Sequence, residues 1–209
     1  MQYELETIRR ALHPDFGTGW NSVLAIVPLA LAIVLFRVGR RPGLLWWPAL
    51  VAFLLFLPNA AYTLTDVIHL VHRVRREPYM PVWTVSLVLI PQYVLFMGAG
   101  FQAHVLSLVR LGDYMRWLGR GRWVVPVEIA LNLLASVGIF LGRFQRFNSW
   151  DALNEPERLA LLTINDFTKR YPLEAITATF AVLSLSYYAL AFVDRAIIAD
   201  IRRRAQSNL

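Results

Sequence analysis

Five stretches of the chain, 20–36, 44–64, 82–108, 123–141 and 175–192, are apolar over the roughly 17–25 residues a helix needs to cross a bilayer. Charges gather between these runs rather than inside them. Trp20, Trp46, Trp47, Trp83, Trp117 and Trp123 sit near run ends, where amphipathic rings anchor at the membrane interface. The pattern predicts an all-α polytopic membrane protein with about five transmembrane helices, folded as one membrane domain over 1–209. Two shorter segments read as amphipathic interfacial helices. In 3–12, Leu5, Ile8 and Leu12 share one face. In 154–169, the run Asn154, Glu155, Pro156, Glu157 has the chemistry of a helix start. Pro91, Gly98 and Gly100 make the third run a place for a kink or a close helix approach.

Composition agrees with this pattern. The chain is 57% hydrophobic and 17% charged, with a mean hydropathy of +0.47, outside the usual balance of a soluble domain. The net charge of +7 comes from arginine, Lys169 being the sole lysine. No basic stretch has the interleaved aromatics of a nucleic-acid module, so nucleic acid is not an expected partner. Arginines flanking membrane helices account for the excess. The absence of cysteine excludes disulfides, thiolate metal sites and cysteine nucleophiles. Glu4 and Glu6 interrupt the first twelve residues, which therefore do not read as a cleavable signal peptide. With the N-terminus outside, the inner segments hold Arg37, Arg40 and Arg41, then Arg110, Arg116, Arg120 and Arg122, then Arg195 and Arg202 to Arg204. The basic loop after the first helix favours that N-out, C-in orientation.

The second run ends abruptly in polar residues, "LPNAAYTLTDVIHLVHR". At about 100° per residue, Asn59, Tyr62, Asp66, His69 and Arg73 fall within an arc of about 80° if the helix continues past the membrane boundary. His72 falls off that stripe. Pro58, just before it, is placed to kink the helix. The fourth run repeats the device: Glu128, Asn132, Ser136, Arg143 and Arg146 share a similar arc of about 80°, with Ile139 inside it. A turn-prone Asn148–Asp151 follows, expected to fold back over the cluster with Trp150 at the interface. The two runs cross in the same direction, so Asp66 and His69 are expected to meet Arg143, Arg146 and Asp151 at one membrane face.

These two motifs, "LPNAAYTLTDVIHL" and "GRFQRFNSWD", resemble a family of bacterial multi-pass membrane proteins, domain of unknown function 1361. The resemblance covers the chain from about the second run to the last. It implies that Asn59, Tyr62, Thr65, Asp66, His69, Arg143, Arg146, Asn148, Trp150 and Asp151 are signature positions, and that the protein resides in a bacterial cytoplasmic membrane. Ala61 departs from the pattern, where proline is common. The resemblance brings no activity with it.

An Asp–Arg pair alone reads as a clamp between two helix ends, because charges near lipid pair with one another. The surplus of polar groups points further. Two guanidinium forks match phosphate or carboxylate oxygens, so the expected ligand is anionic, with a phospholipid-like molecule the natural candidate. In that reading Arg143 and Arg146 hold the anion, and Asp66 orients His69 for proton transfer. Asn59, Tyr62, Thr65, Arg73, Asn148, Trp150 and Asp151 complete the binding surface. Asp66, His69 and Asp151 offer three metal ligands without any metal-site spacing, and neither metal nor cofactor is expected. Gln92, Gln102, His104, Glu128 and Asn132 form a second polar set suited to helix–helix hydrogen bonding. Two alternatives stand: a small oligomeric transporter or channel along the fourth-helix stripe, and an assembly subunit without site chemistry. Membrane lipids and further copies of the chain are the expected partners.

Overall fold

The computed structural model describes residues 16–37, 39, 41–147, 154, 157, 161 and 170–207. Every element among them is helical. The amphipathic segment 3–12, nearly all of 154–169, and Asn148, Trp150 and Asp151 lie outside the described residues.

Helix α1 (Phe16–Leu35) is followed by α2 (Trp46–Tyr62), a 3-10 turn (Thr63–Thr65) and a short α3 (Val67–Arg76). A helical turn (Val82–Thr84) and a π-helical turn (Val85–Leu89) lead directly into α4 (Ile90–Trp117). A 3-10 turn (Gly121–Trp123), α5 (Val124–Phe140) and a second π-helical turn (Leu141–Gln145) form the next crossing, and α6 (Arg170–Ser207) the last. Four spans are long and apolar enough to cross a membrane: Trp46–Thr65, Val82–Trp117, Gly121–Gln145 and Arg170–Ala205. The apolar part of α1, Val23–Leu35, is shorter. The chain thus has the all-α polytopic architecture its hydropathy predicts. The helices outrun the apolar segments, because a helix needs only its own backbone bonds to continue beyond the hydrocarbon. Thus α4 reaches Trp117 rather than 108, and α6 passes beyond 192.

In the bundle α1 packs on α2 and α4, α2 on α4 and α5, and α6 on α5 and α4. Much of the core lies between these faces, around Phe53, Leu57, Leu108, Ala135 and Tyr187. One end is closed by aromatics: Phe36 meets Phe53 edge-on at 5.1 Å, and the Trp46 indole N–H donates to the Leu35 carbonyl at 3.0 Å. Close approach depends on two glycines. A Cβ on Gly138 would sit 2.6 Å from the Pro58 ring, and one on Gly100 would sit 2.5 Å from the Thr63 side chain. Gly98 faces open space, so of the third-run pair only Gly100 is a packing glycine. Pro91 lies just after the first π turn. Widening there accommodates a ring that cannot fit a regular helix and lacks the N–H for its bond.

Candidate functional site

The second helix does not continue unbroken past Tyr62. Thr63 and Thr65 each donate a side-chain hydroxyl to the carbonyl three residues back, Ala60 and Tyr62, at 2.7 Å. Such local bonds compete with the helical ladder, and the backbone tightens into a 3-10 turn before α3 begins. The turn keeps Tyr62, Thr65, Asp66 and His69 on one side. This side faces the end of α5, where the π turn carries Arg143.

Arg143 is the hub. Its Nη2 donates to Asp66 Oδ1 at 2.5 Å, its Nε donates to Thr65 Oγ1 at 2.9 Å, and its Nη1 lies 3.4 Å from His69 Nε2. The guanidinium carbon stands 4.0 Å from the centre of the Tyr62 ring, a cation–π arrangement. Asp66 is fully buried, while the Arg143 side chain is 15% exposed. Asp66 lies one residue beyond the span that ends at Thr65. Burial pushes its carboxyl above the ordinary carboxylate range, and the Arg143 charge, the Arg143 hydrogen bond, His69 and Asn21 pull it back. Burial wins, as it does when desolvating two charges costs more than their attraction returns.

His69 is the open member, with 35% of its side chain exposed. Its Nε2 stands between two partners of opposite character, Arg143 Nη1 at 3.4 Å and Asp66 Oδ1 at 3.6 Å. An unprotonated Nε2 accepts from the guanidinium; a protonated ring would stand at ion-pair distance from the carboxylate. The same geometry therefore serves either state of the ring.

The pattern of the sequence does not single out two participants. Asn21, in the first turns of α1, donates from Nδ2 to Asp66 Oδ2 at 3.4 Å. Gly142 lets the Tyr62 ring lie against the chain: a Cβ there would come within 3.2 Å of Tyr62 Cε2.

Other expected members are placed differently. Arg146 differs from Arg143 in exposure and in backbone conformation. It is exposed, holds a left-handed backbone at φ 58°, and makes no hydrogen bond or ion pair with the cluster among the described residues. The π turn and this left-handed residue break the 100° periodicity on which its placement rested. Asn59 is half-buried and Arg73 buried, each engaged in interactions of its own. Asn148, Trp150 and Asp151, with the fold-back expected of them, lie outside the described residues. Among those residues no group of three His, Asp or Glu is arranged to hold a metal ion.

The second polar set ties helices together nearer the opposite end. His104 Nε2 meets Asn132 Oδ1 at 3.0 Å, Arg195 reaches Glu128 at 3.4 Å, and Gln102 donates to Asp194 at 2.6 Å. It does not join the Arg143 cluster. Ser136 turns back to the Asn132 carbonyl at 2.8 Å, and buried Ile139 stands between Ser136 and Arg143.

No curated protein and no solved structure matches the chain. One family model matches residues 20–185, covering both motifs and every helix of the site. The chain belongs to that family, described as protein of unknown function (DUF1361).

Proposed function

We propose that the Asp66–His69–Arg143 cluster binds the anionic group of a phospholipid-like amphiphile at one face of the cell membrane, the outer face, and that His69 exchanges a proton with it. The observation that carries this reading is the position of His69. It is the exposed edge of an otherwise buried charge cluster, and its Nε2 is shared between a guanidinium and a carboxylate. A guanidinium has five N–H donors; three nitrogens of Arg143 make contacts within the cluster, and an anion approaching past His69 would meet the edge of that guanidinium. Asp66 orients His69 and balances Arg143. Thr65 and Tyr62 fix the guanidinium plane. Asn59, Arg73, Asn148, Trp150 and Asp151 are proposed as further ligand contacts. The transport alternative needs a continuous polar line along α5, and Ile139 argues against one.

The test uses native mass spectrometry of the detergent-purified full chain, comparing retained anionic and zwitterionic lipids. Wild type should retain the anionic lipid selectively. Asp66→Leu combined with Arg143→Met should leave a folded, membrane-inserted protein that has lost that selectivity. His69→Gln should keep folding and binding while abolishing proton transfer to the bound ligand. A double variant that is stable and binds as wild type does would reduce the cluster to a helix clamp.

A further inference from the structure

Beside the cluster, within the span, a cavity of about 250 Å³ opens between the end of α2, α5 and α6. Thr65 belongs to both: it lines this cavity and accepts the Arg143 Nε–H. We propose that the cavity holds part of an acyl chain of the same anionic amphiphile, so that one molecule lies with its headgroup at Arg143 and a chain in this groove. The inference rests on the headgroup reading above and deepens it, by making the ligand a membrane lipid that enters sideways.

The lining selects hydrocarbon over water. Its two hydroxyl protons are spent on backbone carbonyls, Thr65 on Tyr62 at 2.7 Å and Thr179 on Ala175 at 2.8 Å, and the Thr65 oxygen already accepts from Arg143. What remains is methyl and branched-chain surface from Leu64, Ile139, Val182 and Leu183. An enclosed water needs two to four polar partners, and this lining offers no free donor to supply them. The inner wall is shut by Leu183 at 1% exposure and Ile139 at 3%, whereas Val182 is 58% exposed on the outside of the bundle. The groove therefore opens toward the surrounding chains of the bilayer, and at Thr65 its head end meets the Arg143 guanidinium. A soluble anion would use the cluster and leave the groove empty. An amphiphile uses both, and the shared Thr65 joins its two halves.

The experiment uses the detergent-purified full chain and three probes: phosphatidylglycerol, phosphatidylcholine with the same chains, and glycerol phosphate as a headgroup without a tail. Ala178→Trp and Val182→Trp fill the groove from its open side, where a large side chain disturbs no core contact. Leu185→Trp, on a residue 75% exposed and absent from the lining, carries the same added bulk elsewhere. The expected result is a loss of at least about tenfold in phosphatidylglycerol retention for the two groove variants, with Leu185→Trp unchanged. Thermal stabilisation by glycerol phosphate should be the same in all four proteins. Groove variants that retain phosphatidylglycerol as wild type does, while glycerol phosphate still stabilises them, overturn the chain site and leave the headgroup reading standing. Equal retention of both lipids by wild type, with no stabilisation by glycerol phosphate, overturns the headgroup reading and this inference with it.

Discussion

Removing either half of the Asp66–Arg143 pair should be far worse than removing both. Arg143→Met leaves a fully buried carboxylate with Asn21 at 3.4 Å and His69 at 3.6 Å as its remaining partners. Stranding a buried charge costs about 3–5 kcal/mol, and the near-complete burial here calls for the upper part of that range. Asp66→Leu leaves Arg143 better provided, with Thr65, His69 and the Tyr62 face still in place and 15% of its side chain open. Its cost should lie near the lower end, about 3 kcal/mol. The double variant strands nothing. Burial already outweighs attraction at Asp66, so well-packed apolar replacements should be neutral or stabilising by about 1–4 kcal/mol.

The assay is thermal unfolding in detergent, with membrane insertion checked for each variant. At about 2–4 °C per kcal/mol for a chain of this length, Arg143→Met should lower Tm by roughly 8–20 °C, and Asp66→Leu by roughly 6–12 °C. The double variant should melt at or above wild type. A double variant as unstable as Arg143→Met would refute the reasoning. It would mean that the pair repays its burial, and that Thr65, Tyr62 and Asn21 depend on it for their own placement.

Other outcomes follow from the same geometry. Gly138→Ala and Gly100→Ala place a methyl group 2.6 Å from the Pro58 ring and 2.5 Å from Thr63 respectively, and each should cost about 1–3 kcal/mol in detergent melts; Gly98→Ala, with nothing within 4 Å, should be neutral or better. Asn132→Leu breaks the bond to His104 and should cost about 0.6 kcal/mol, at most about 1.7, as interhelical hydrogen bonds in membranes do; a larger loss of Tm would show that the second polar set is more than a helix tie. Because burial holds the Asp66 proton more tightly in the folded state, the native protein binds more protons than the unfolded chain above the ordinary value of 3.8. Stability should therefore fall as pH rises from there through the folded value, then level off, and Asp66→Asn should remove that slope from a Tm–pH profile.

Hydropathy made the bundle legible because lipid leaves the backbone little choice but helix across each apolar run. The meeting of Asp66 and His69 with Arg143 was legible for a topological reason: two crossings in the same direction must end at the same face. Periodicity failed where the backbone stopped being α-helical. Arg146 lies past a π turn in a left-handed backbone conformation, so a step of 100° per residue does not carry through to it. Nothing in the spacing announces either π turn, since widening by one residue is settled by tertiary contact. Asn21 was invisible for a different reason. It reaches Asp66 from 45 positions away in sequence, and no local pattern encodes that approach.

The irregular backbone bears on what the cluster is for. The 3-10 turn at Thr63–Thr65 and both π turns, Val85–Leu89 and Leu141–Gln145, lie toward the end of the bundle that holds Asp66, while the 3-10 turn Gly121–Trp123 lies at the other end. The opposite end is closed by aromatic packing among Phe36, Phe53, Trp46 and Tyr114. Departures from α geometry weaken backbone hydrogen bonding and recur at working sites. Two helix ends could be clamped more simply, by one Asp and one Arg facing each other across straight helices. Such a clamp would not need an arginine delivered by a π turn onto an aromatic face, nor a glycine beside it to admit the ring. Nor would it place a half-exposed histidine between the two charges. Those features fix a guanidinium plane beside an exposed histidine, and the proposed anion site rests on that arrangement.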